Sequence, residues 1–424
     1  MIVLAHKERE RVFQGKVNVI GLGYIGLPTA MMMAAHDIDV TGTDFNEELV
    51  DTLNSGKMTF QEEGIDELFN QARAKGIEFS TQYAQADVYI VCVPTPYDKQ
   101  TKRIDASYVM GAVRSVLECA PRGAIVVVES TVSPGTMDKY VRPLLDEAGV
   151  KAGEDVHLVH APERIIPGSM VRELVENART IGADSAEVGE KIKELYSAFC
   201  QGDIEVTDIR TAELTKVVEN TYRDVNIAFA NELLKICRSD DLDVHEVIRI
   251  ANKHPRVNIL SPGPGVGGHC ISVDPWFLVG DYPELATMIR QARHTNDAMP
   301  DYVLERAHSL ARERGIDFSR VGFYGITYKE DVDDLRDSPT LQLLEKMAEH
   351  LAPEPKTFDP MLESQVLSNQ YTDFGAFLAD IDMMVIMVSH SHLREHADQV
   401  TNKTILDTRK TDVNWDSSNT TVLL

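Results

Sequence analysis

A glycine-rich turn between an apolar run and a helical pattern constrains the fold of this 424-residue chain more than any other feature. Lys16–Ile20 is predicted as a buried strand, residues 21–26 read G-x-G-x-x-G, and residues 27–35 are predicted as a helix. A second predicted strand, Asp39–Thr43, ends in Asp44, about twenty residues after the turn. This order of strand, turn, helix and acidic residue predicts a dinucleotide-binding βαβ unit.

The residue types in this unit favour NAD as the ligand. Gly21, Gly23 and Gly26 would let a pyrophosphate approach the amino end of the helix, where free amides and the helix dipole favour anions. Asp44 would accept hydrogen bonds from the adenosine ribose hydroxyls and would repel the 2′-phosphate of NADP. The alternative is an ordinary βα turn without a ligand.

Composition restricts the class of protein. Hydrophobic residues make up 43% and charged residues 26% of the chain, which is typical of a globular protein. The net charge of −25 argues against nucleic acid and anionic membrane surfaces as partners. The five cysteines show no spacing typical of metal ligands, so reduced thiols, a cytoplasmic location and no metal are expected. Residues 1–12 are predicted to be a short extension and not a signal peptide, and no run of about twenty apolar residues predicts a membrane span.

Strand and helix patterns continue to alternate after the first unit, which predicts a mostly parallel sheet. Further strands are predicted over residues 87–93, 124–129 and 156–160. Polar side chains follow these strands: Thr95, Thr131, Glu163 and Arg164. Because ligands bind at the carboxyl edge of such sheets, this set is expected to contact a ligand, although each residue alone could belong to a turn or a helix cap.

Residues 210–240 are rich in helix formers and are predicted to form one long helix, followed by a shorter one over residues 243–252. On the long helix, Lys216, Asn220 and Arg223 fall at i, i+4 and i+7 on one face, which is either solvated or borders a cleft. Apolar residues on neighbouring faces are predicted to be buried, which favours the cleft: Val217, Val218, Val225 and Phe229.

Strand patterns return at residues 321–326, 382–388 and 404–406, after a predicted helix over residues 302–314. The predicted fold class is therefore α/β, with two Rossmann-like domains that have parallel sheets and are joined by a long central helix and a helical dimerisation region. The expected domains are residues 1–205, 206–314 and 315–424.

A loop over residues 262–274 crowds four glycines against Cys270. Glycine lets backbone pass close to a ligand, so this loop could wrap a substrate and hold a thiol at its end. A structural cysteine is usually a small core residue that needs no such approach. Cys270 is therefore predicted to be a nucleophile, with the Asp274 carboxylate placed to handle protons or water.

Several stretches resemble the nucleotide-sugar 6-dehydrogenases of the UDP-glucose/UDP-mannose dehydrogenase family. They are GLGYIGLPTA, the strand ends VPTP and EST, APER, KVVENTYRDVNIAFANEL, HPRVNILSPGPGVGGHCISVDPWF and YKEDVDDLRDSP. The resemblance spans nearly the whole chain in the expected order. It implies an N-terminal NAD domain, a central helical dimerisation region and a C-terminal domain for the UDP-sugar, in a homodimer or larger homo-oligomer.

The resemblance also implies a four-electron oxidation of a sugar CH2OH group to a carboxylate with two NAD in succession. The Cys270 thiolate would capture the intermediate aldehyde as a thiohemiacetal, and oxidation of this adduct would give a thioester for water to hydrolyse. Lys216 and Asn220 would stabilise developing oxyanions, and Asp274 and Glu163 would position or activate water.

The remaining site residues follow from the family motifs. NAD would be held by Gly21, Gly23, Tyr24, Ile25, Gly26, Asp44, Thr95, Thr131 and Arg336. The UDP-sugar would be contacted by Glu163, Arg164, Lys216, Asn220, Arg223, His254, Arg256, Gly267, Tyr328, Lys329 and Arg409. Arg256 is expected to reach a neighbouring subunit's site, and Lys329 and Arg336 to bridge substrate and cofactor. Arg409 is the weakest match, because the C-terminal tail departs from the family pattern.

The loop around Cys270 bears on the identity of the sugar. UDP-glucose dehydrogenases typically carry GYGGxC followed by Pro-Lys-Asp, whereas this chain has GVGGHC and then SVDPWF. The difference favours UDP-N-acetyl-D-mannosamine, with UDP-N-acetylglucosamine and UDP-glucose as alternatives. Two other classes are a 3-hydroxyacid dehydrogenase, which needs no cysteine loop or second α/β domain, and a non-catalytic NAD sensor, which does not need Cys270, Lys216 and Asp274 together.

Overall fold

The computed structural model describes residues 13–349 and 354–424, so the extension predicted over residues 1–12 lies outside the described residues. The chain divides into two compact units, Met1–Val218 and Glu219–Leu424. Within the two described ranges, no helix has both the length and the apolar character needed to cross a membrane.

The N-terminal unit contains one eight-stranded sheet. Its strands are β1 Lys16–Ile20, β2 Asp39–Thr43, β3 Glu78–Ser80, β4 Val88–Val91, β5 Ala124–Val128, β6 Val156–His160, β7 Arg179–Ala183 and β8 Ile204–Thr207. They lie in the order β3-β2-β1-β4-β5-β6-β7-β8, with β6 and β7 antiparallel and the other described pairs parallel. The strand order reverses between β1 and β4, which is where ligands bind in sheets of this kind.

Helices cover this sheet. They are α1 Gly26–Ala35, α2 Glu47–Asn54, α3 Ile65–Ala74, α4 Ser107–Cys119, α5 Arg142–Glu147, α6 Met170–Glu176 and α7 Ala186–Ser197, with a π-helical turn at Met137–Val141 before α5. Every residue of β4 and β5 is buried, as expected for apolar runs in a parallel sheet that is covered on both faces. Helix α1 is nearly all buried and belongs to the same core.

The long predicted helix is α8, Ile209–Ser239, a continuous helix of 31 residues within which the division between the two units falls. The Asp208 carboxylate caps it by accepting a hydrogen bond from the Thr211 amide at 2.9 Å. Val217 is buried as predicted, but the burial predicted for Val218 and Phe229 is wrong, because these side chains are 46% and 49% exposed. Apolar character alone did not distinguish a core face from an unpaired face of this helix.

The C-terminal unit has a second sheet, with six strands that are all parallel. The strands are β9 Val321–Tyr324, β10 Lys356–Phe358, β11 Gln370–Tyr371, β12 Met383–Ile386, β13 Thr404–Asp407 and β14 Thr420–Leu423, in the order β11-β10-β9-β12-β13-β14. The helices are α9 Val244–Ala251, α10 Asp274–Asp281, α11 Thr287–Asp297, α12 Met299–Arg314, α13 Pro339–Glu349, α14 Phe374–Ala379 and α15 Ser391–Glu395. The strand order again reverses at the first strand, between β9 and β12.

Candidate functional site

The predicted dinucleotide-binding turn lies between β1 and α1, at the carboxyl end of β1. A Cβ atom on Gly26 would lie 1.9 Å from the carbonyl oxygen of Gly21, so only glycine fits there. A Cβ atom on Gly23, in contrast, would meet no described atom within 4 Å. The turn is therefore tight where it packs on itself and open where a pyrophosphate would approach the start of α1, so its geometry fits NAD.

Asp44, which follows β2, reaches this turn. Its Oδ2 accepts a hydrogen bond from the Leu22 amide at 2.8 Å, and its Oδ1 accepts one from the Asn46 amide at 2.9 Å. A carboxylate offers about four lone-pair positions, so acceptor capacity is left for ribose hydroxyls. The carboxylate thus links the glycine turn to the position where the adenosine ribose would lie.

We expect Asp44→Ala to raise the Michaelis constant for NAD by roughly 10- to 100-fold, because each charge-assisted hydrogen bond contributes roughly 1.5–3 kcal/mol. The preference for NAD over NADP should narrow as well, because the charge that repels the 2′-phosphate is removed. Steady-state kinetics with both cofactors measure the two effects. Asp39→Ala, at the exposed start of β2, is the matched control. An unchanged Michaelis constant for NAD in Asp44→Ala would refute the assignment of Asp44 to the ribose site.

The two threonines predicted to hold NAD lie together at the ends of adjacent strands. The Thr95 hydroxyl, after β4, donates a hydrogen bond to the Thr131 carbonyl, after β5, at 2.7 Å. Tyr24 in the glycine turn is half-buried and its ring centroid lies 4.7 Å from that of Phe60. The carboxyl edge of the sheet therefore carries the polar residues that sequence analysis expected there.

Glu163 lies in a buried charge network of the N-terminal unit. Its Oε2 is 2.6 Å from Nη2 of the buried Arg179, and its Oε1 accepts a hydrogen bond from the Arg164 amide at 2.7 Å. The Arg164 guanidinium donates to the Ala178 carbonyl and the Thr180 hydroxyl. Glu163 and Arg164 are thus held in place by residues of β7 and by Ala178, which precedes this strand.

Glu129 and Arg179, which were not predicted from the sequence, also belong to this network. Glu129 accepts hydrogen bonds from the Cys92 thiol at 3.0 Å and from the Tyr196 hydroxyl at 2.8 Å. The Arg179 guanidinium lies 4.5 Å from the centroid of the Tyr196 ring. Burial, reinforced by the charge of Glu163, raises the pKa of Glu129 to about 7. The acid in the strand-end motif EST was the signal that could have pointed to Glu129.

On α8, Lys216 and Asn220 are buried, and Asn220 contacts a third predicted residue. The Asn220 Nδ2 atom donates to the Asp274 Oδ2 atom at 2.6 Å. Arg223 is exposed, whereas Asp224 is buried, so the buried polar stripe continues through Asp224. The spacing i, i+4, i+8 was present in the sequence and could have identified Asp224.

Cys270 lies at the end of the glycine loop, one turn before Asp274, the first residue of α10. Of the five cysteines, all of which fall in the described ranges, it alone is exposed. Its backbone carbonyl accepts hydrogen bonds from the Val273 amide at 3.1 Å and the Asp274 amide at 2.9 Å, so it lies at the amino end of that helix. A helix amino terminus stabilises a thiolate, which makes this position suitable for a nucleophile.

The cysteine loop packs against the segment that follows β9. The Gly268 amide donates to the Arg336 carbonyl at 2.9 Å, and Gly268 has φ +84°, a conformation that favours glycine. A Cβ atom on Gly267 would lie 2.8 Å from the Cβ atom of Tyr328. The structure therefore brings together three predicted substrate or cofactor residues, Gly267, Tyr328 and Arg336, beside the loop.

Arg336 lies beside the cysteine loop, where its carbonyl accepts the hydrogen bond from the Gly268 amide. Its hydrogen bond to Asp334 and, more weakly, the charge of Cys270 raise the pKa of the Arg336 guanidinium. Lys329, the other member of the predicted pair, is half-buried in the connection between β9 and α13, which also carries Arg336. Lys329 and Arg336 are the basic residues of this connection, which is acidic overall because it also carries Glu330 and four aspartates.

Two residues that sequence analysis did not assign, Asp359 and His390, hold the turn that carries Lys329. Asp359 accepts a hydrogen bond from the Thr327 amide at 2.8 Å, and His390 Nδ1 accepts one from the Asp331 amide at 2.9 Å. Burial alone would raise the pKa of Asp359, but hydrogen bonds from His390 and from backbone amides outweigh it and lower the pKa. The Lys329 turn is therefore fixed from two sides.

Arg409, the weakest of the predicted matches, also lies against the cysteine loop. Its Nε donates to the Met387 carbonyl at 2.9 Å, and a Cβ atom on Gly263 would lie 2.8 Å from its Nη1. Burial lowers the pKa of Arg409 to about 10, although Glu330 and Asp407 oppose this effect. The residue follows β13, at the carboxyl edge of the C-terminal sheet.

Three predicted substrate contacts have exposed side chains, namely Arg223, His254 and Arg256. The two later residues lie in the loop after α9, which Asn226 of α8 holds by donating to the Asn258 carbonyl at 2.8 Å. These three residues are not among the buried groups around the cysteine loop.

The domain models of one known protein family match this chain in sequence order. The NAD-binding domain of one family matches residues 15–200, its central domain matches residues 210–298, and its UDP-binding domain matches residues 322–412. The chain belongs to the UDP-glucose/GDP-mannose dehydrogenase family. It is an NAD-dependent nucleotide-sugar dehydrogenase, and the predictions of family and cofactor are confirmed.

Individual members of the family are similar over almost their full length. A UDP-N-acetyl-D-mannosamine dehydrogenase from Methanococcus vannielii is 41% identical over 93% of this chain and 92% of its own. An NDP-N-acetyl-D-galactosaminuronic acid dehydrogenase from Ralstonia nicotianae is 40% identical over 93% of this chain and 95% of its own. The solved structure of a UDP-N-acetyl-mannosamine dehydrogenase from S. aureus is 40% identical, with a TM-score of 0.86, and the match covers 96% of this chain and 98% of that one.

The predicted fold class is confirmed by this last similarity, since the relative shares the fold over nearly its whole length. Membership in the UDP-glucose/GDP-mannose dehydrogenase family also removes the 3-hydroxyacid dehydrogenase and NAD-sensor alternatives. The matched UDP-binding domain accounts for the second sheet, which neither alternative requires.

Proposed function

We propose that the protein catalyses the four-electron oxidation of UDP-N-acetyl-D-mannosamine at C6 and forms UDP-N-acetyl-D-mannosaminuronate. The observation that carries this proposal is the exposed Cys270 thiol, which lies one turn before α10 at the end of a glycine loop that packs against the Arg336 backbone. The choice of sugar is supported by the names of relatives that are about 40% identical, together with the departure of the cysteine loop from the UDP-glucose pattern.

A nucleophilic thiol explains how one site can oxidise an alcohol twice. The chemistry that bound NAD supplies is acceptance of one hydride in each oxidation, so two NAD are consumed per sugar. Between the oxidations, the Cys270 sulfur forms a bond to the aldehyde carbon and gives a thiohemiacetal. Loss of hydride from that carbon leaves a thioester, which water hydrolyses to the carboxylate and the free thiol. The covalent bond also prevents release of the aldehyde while the cofactor exchanges.

The proposed roles of the neighbouring residues follow from their contacts. The amino end of α10, one turn after Cys270, favours the thiolate through the helix dipole. Lys216 and Asn220 stabilise negative charge on the sugar oxygen, and Asn220 orients Asp274 through the 2.6 Å hydrogen bond. Asp274 then positions the hydrolytic water, and Glu163, oriented by Arg179, does the same at the edge of the N-terminal sheet.

Binding of a UDP-sugar requires local positive charge in a chain whose net charge is −25. Lys329, Arg336 and Arg409 supply it around the cysteine loop, and we propose that they hold the diphosphate. The other proposed substrate contacts remain those expected from the family motifs: Arg164, Arg223, His254, Arg256, Gly267 and Tyr328.

We further propose that α8 forms a homodimer interface. Its exposed apolar side chains recur at spacings of four and seven residues and so share one helix face: Leu214, Val218, Tyr222, Phe229 and Ile236. A contiguous apolar face of this kind is typical of an interaction surface, and a twofold axis would pair it with itself. Sedimentation at assay concentrations checks the proposal, and a monomer would contradict it.

A second candidate substrate is a UDP-N-acetylhexosamine with another configuration. The relative from Ralstonia nicotianae, named for N-acetyl-D-galactosaminuronic acid, is as similar to this chain as the mannosamine enzymes are. All these sugars share the N-acetyl group and the C6 alcohol, so the same thiol chemistry would apply to each.

The decisive experiment measures product and cofactor together. Purified protein with NAD and UDP-N-acetyl-D-mannosamine should release two NADH for each uronate detected by mass spectrometry. One NADH per sugar, with an aldehyde as the product, would contradict the four-electron mechanism. No reaction with this sugar but turnover of its galactosamine counterpart would move the assignment to the second candidate.

A further inference from the structure

A buried polar network in the C-terminal unit contacts the end of the cysteine loop. Arg293, on α11, is only 1% exposed, and its Nη1 donates to Asp224 Oδ1 on α8 at 2.6 Å. The same Nη1 lies 3.5 Å from the carbonyl oxygen of Ile271, the residue directly after Cys270. The Nη2 atom of Arg293 bonds to Asp297. One guanidinium therefore joins two helices to the backbone next to the thiol.

The network also reaches the start of the loop. Asn296 Nδ2 donates to Asp224 Oδ1 at 2.8 Å and to the Asp224 carbonyl at 3.0 Å. Asn231 Nδ2 donates to Asn296 Oδ1 at 2.9 Å, and Asn231 Oδ1 accepts a hydrogen bond from the Gly263 amide at 2.9 Å. Gly263 at one end and Ile271 at the other are thus tied to a single set of buried side chains.

Contribution to stability is a weak explanation for this network. A buried ion pair adds little net stability, because desolvation of both charges offsets their attraction. Here Asp224 Oδ2 and Arg293 Nε are buried without a hydrogen-bond partner among the described residues, which reduces the gain further. Burial, which outweighs the attraction of Arg293, also raises the pKa of Asp224. Replacement of a buried ion pair by apolar residues of similar volume is often neutral or stabilising.

We propose that the Arg293–Asp224 pair is a positioning device that fixes the cysteine loop and thereby orients the Cys270 thiol at the start of α10. Asn296 and Asn231 extend the device to the Gly263 end of the loop. These residues act through the loop backbone, at the Gly263 amide and the Ile271 carbonyl. This inference rests on the proposed role of Cys270 as the nucleophile.

Two variants test the device. The double variant Asp224→Leu/Arg293→Met replaces the ion pair by apolar side chains and leaves no unpaired buried charge, so it should fold. Arg293→Lys keeps a cation opposite Asp224 but lacks the planar fork, whose Nη1 contacts Asp224 and the Ile271 carbonyl while its Nη2 bonds to Asp297. If the double variant does not fold, Arg293→Lys alone tests the positioning role. The matched control is Arg306→Met, which removes a largely buried arginine from an ion pair on α12 of the same unit.

The first measurement is the rate constant for alkylation of Cys270 by iodoacetamide, with Cys270→Ser as the blank. We expect it to fall about 10-fold in both test variants and to stay within about twofold of wild type in the control. The second measurement is steady-state kinetics, where kcat should fall about 10- to 100-fold while the Michaelis constant for NAD changes less than about twofold.

Alkylation needs neither sugar nor NAD, so its result separates this inference from the proposed function. Slower alkylation of Cys270 in a folded test variant supports the positioning role, whatever sugar the enzyme uses. An alkylation rate equal to or above wild type in folded Arg293→Lys would overturn it. Full turnover by Cys270→Ser would instead overturn the proposed function, and the alkylation result would still report on the loop.

Discussion

Cys270→Ser is expected to lose uronate formation by roughly 10³-fold or more in kcat, while its affinity for NAD stays within about twofold of wild type. A serine hydroxyl is far harder to ionise near neutral pH than a thiol at a helix amino end. The oxygen ester that it would form is also a poorer acyl intermediate than a thioester. The family's NAD-binding domain matches residues 15–200, which do not include Cys270, so we expect the substitution to leave NAD binding largely unchanged.

Two additional measurements make this result specific. Cys119→Ser removes a half-buried thiol from the N-terminal unit and should retain nearly full turnover. Acid quench of the wild-type enzyme during turnover should trap a sugar adduct on the peptide that carries Cys270, and mass spectrometry can locate it. Uronate formation by Cys270→Ser close to the wild-type rate would remove this residue from the mechanism.

Local sequence patterns were sufficient to predict most of the secondary structure. The strands Lys16–Ile20, Asp39–Thr43 and Val156–His160 begin and end as predicted, because apolar runs in a parallel sheet are bounded by glycine or polar residues. The long helix, predicted over residues 210–240, is Ile209–Ser239, because a stretch without glycine or proline offers no internal stop.

Features that depend on tertiary pairing were not available from the sequence. No strand was predicted at β7, and the antiparallel pairing of β7 with β6 is set by its position in the sheet. The exposure of Val218 and Phe229 likewise depends on what packs against α8. Alternation and helix periodicity identify an apolar face, but they do not identify its partner.

The candidate site likewise contains residues that local motifs predicted and residues that depend on tertiary pairing. Cys270, Asp44 and the glycines were found because each carries a local motif with a chemical reason. The residues that hold them were missed, since Arg293 pairs with Asp224 across 69 residues and His390 contacts the Asp331 amide across 59. No local pattern marks such pairs, although the spacing of Asn220 and Asp224 on α8 gave a partial signal.

Among UDP-sugars, UDP-N-acetyl-D-mannosamine should give the highest kcat/KM, and UDP-glucose should give a value at least about 100-fold lower. A site built for an N-acetyl group has hydrogen-bonding partners for its amide and space for its methyl group. Glucose would leave those partners buried and unpaired, which rejects an analogue more strongly than a missing methylene does. The sequence around Cys270 supports this expectation, because GVGGHC replaces the tyrosine-bearing loop typical of the UDP-glucose enzymes.

The panel for this test contains UDP-glucose and the UDP-N-acetyl derivatives of mannosamine, glucosamine and galactosamine, each assayed for NADH and for uronate. Comparison with UDP-glucose tests the N-acetyl group, and comparison with UDP-N-acetylglucosamine tests the configuration at C2. In the proposed site, loss of the N-acetyl group would remove a bound amide, whereas inversion at C2 would only redirect it. UDP-N-acetylglucosamine should therefore be a poorer substrate than UDP-N-acetyl-D-mannosamine but better than UDP-glucose. If UDP-glucose gave the highest kcat/KM, the interpretation of the cysteine loop would be wrong, while membership in the UDP-glucose/GDP-mannose dehydrogenase family would stand.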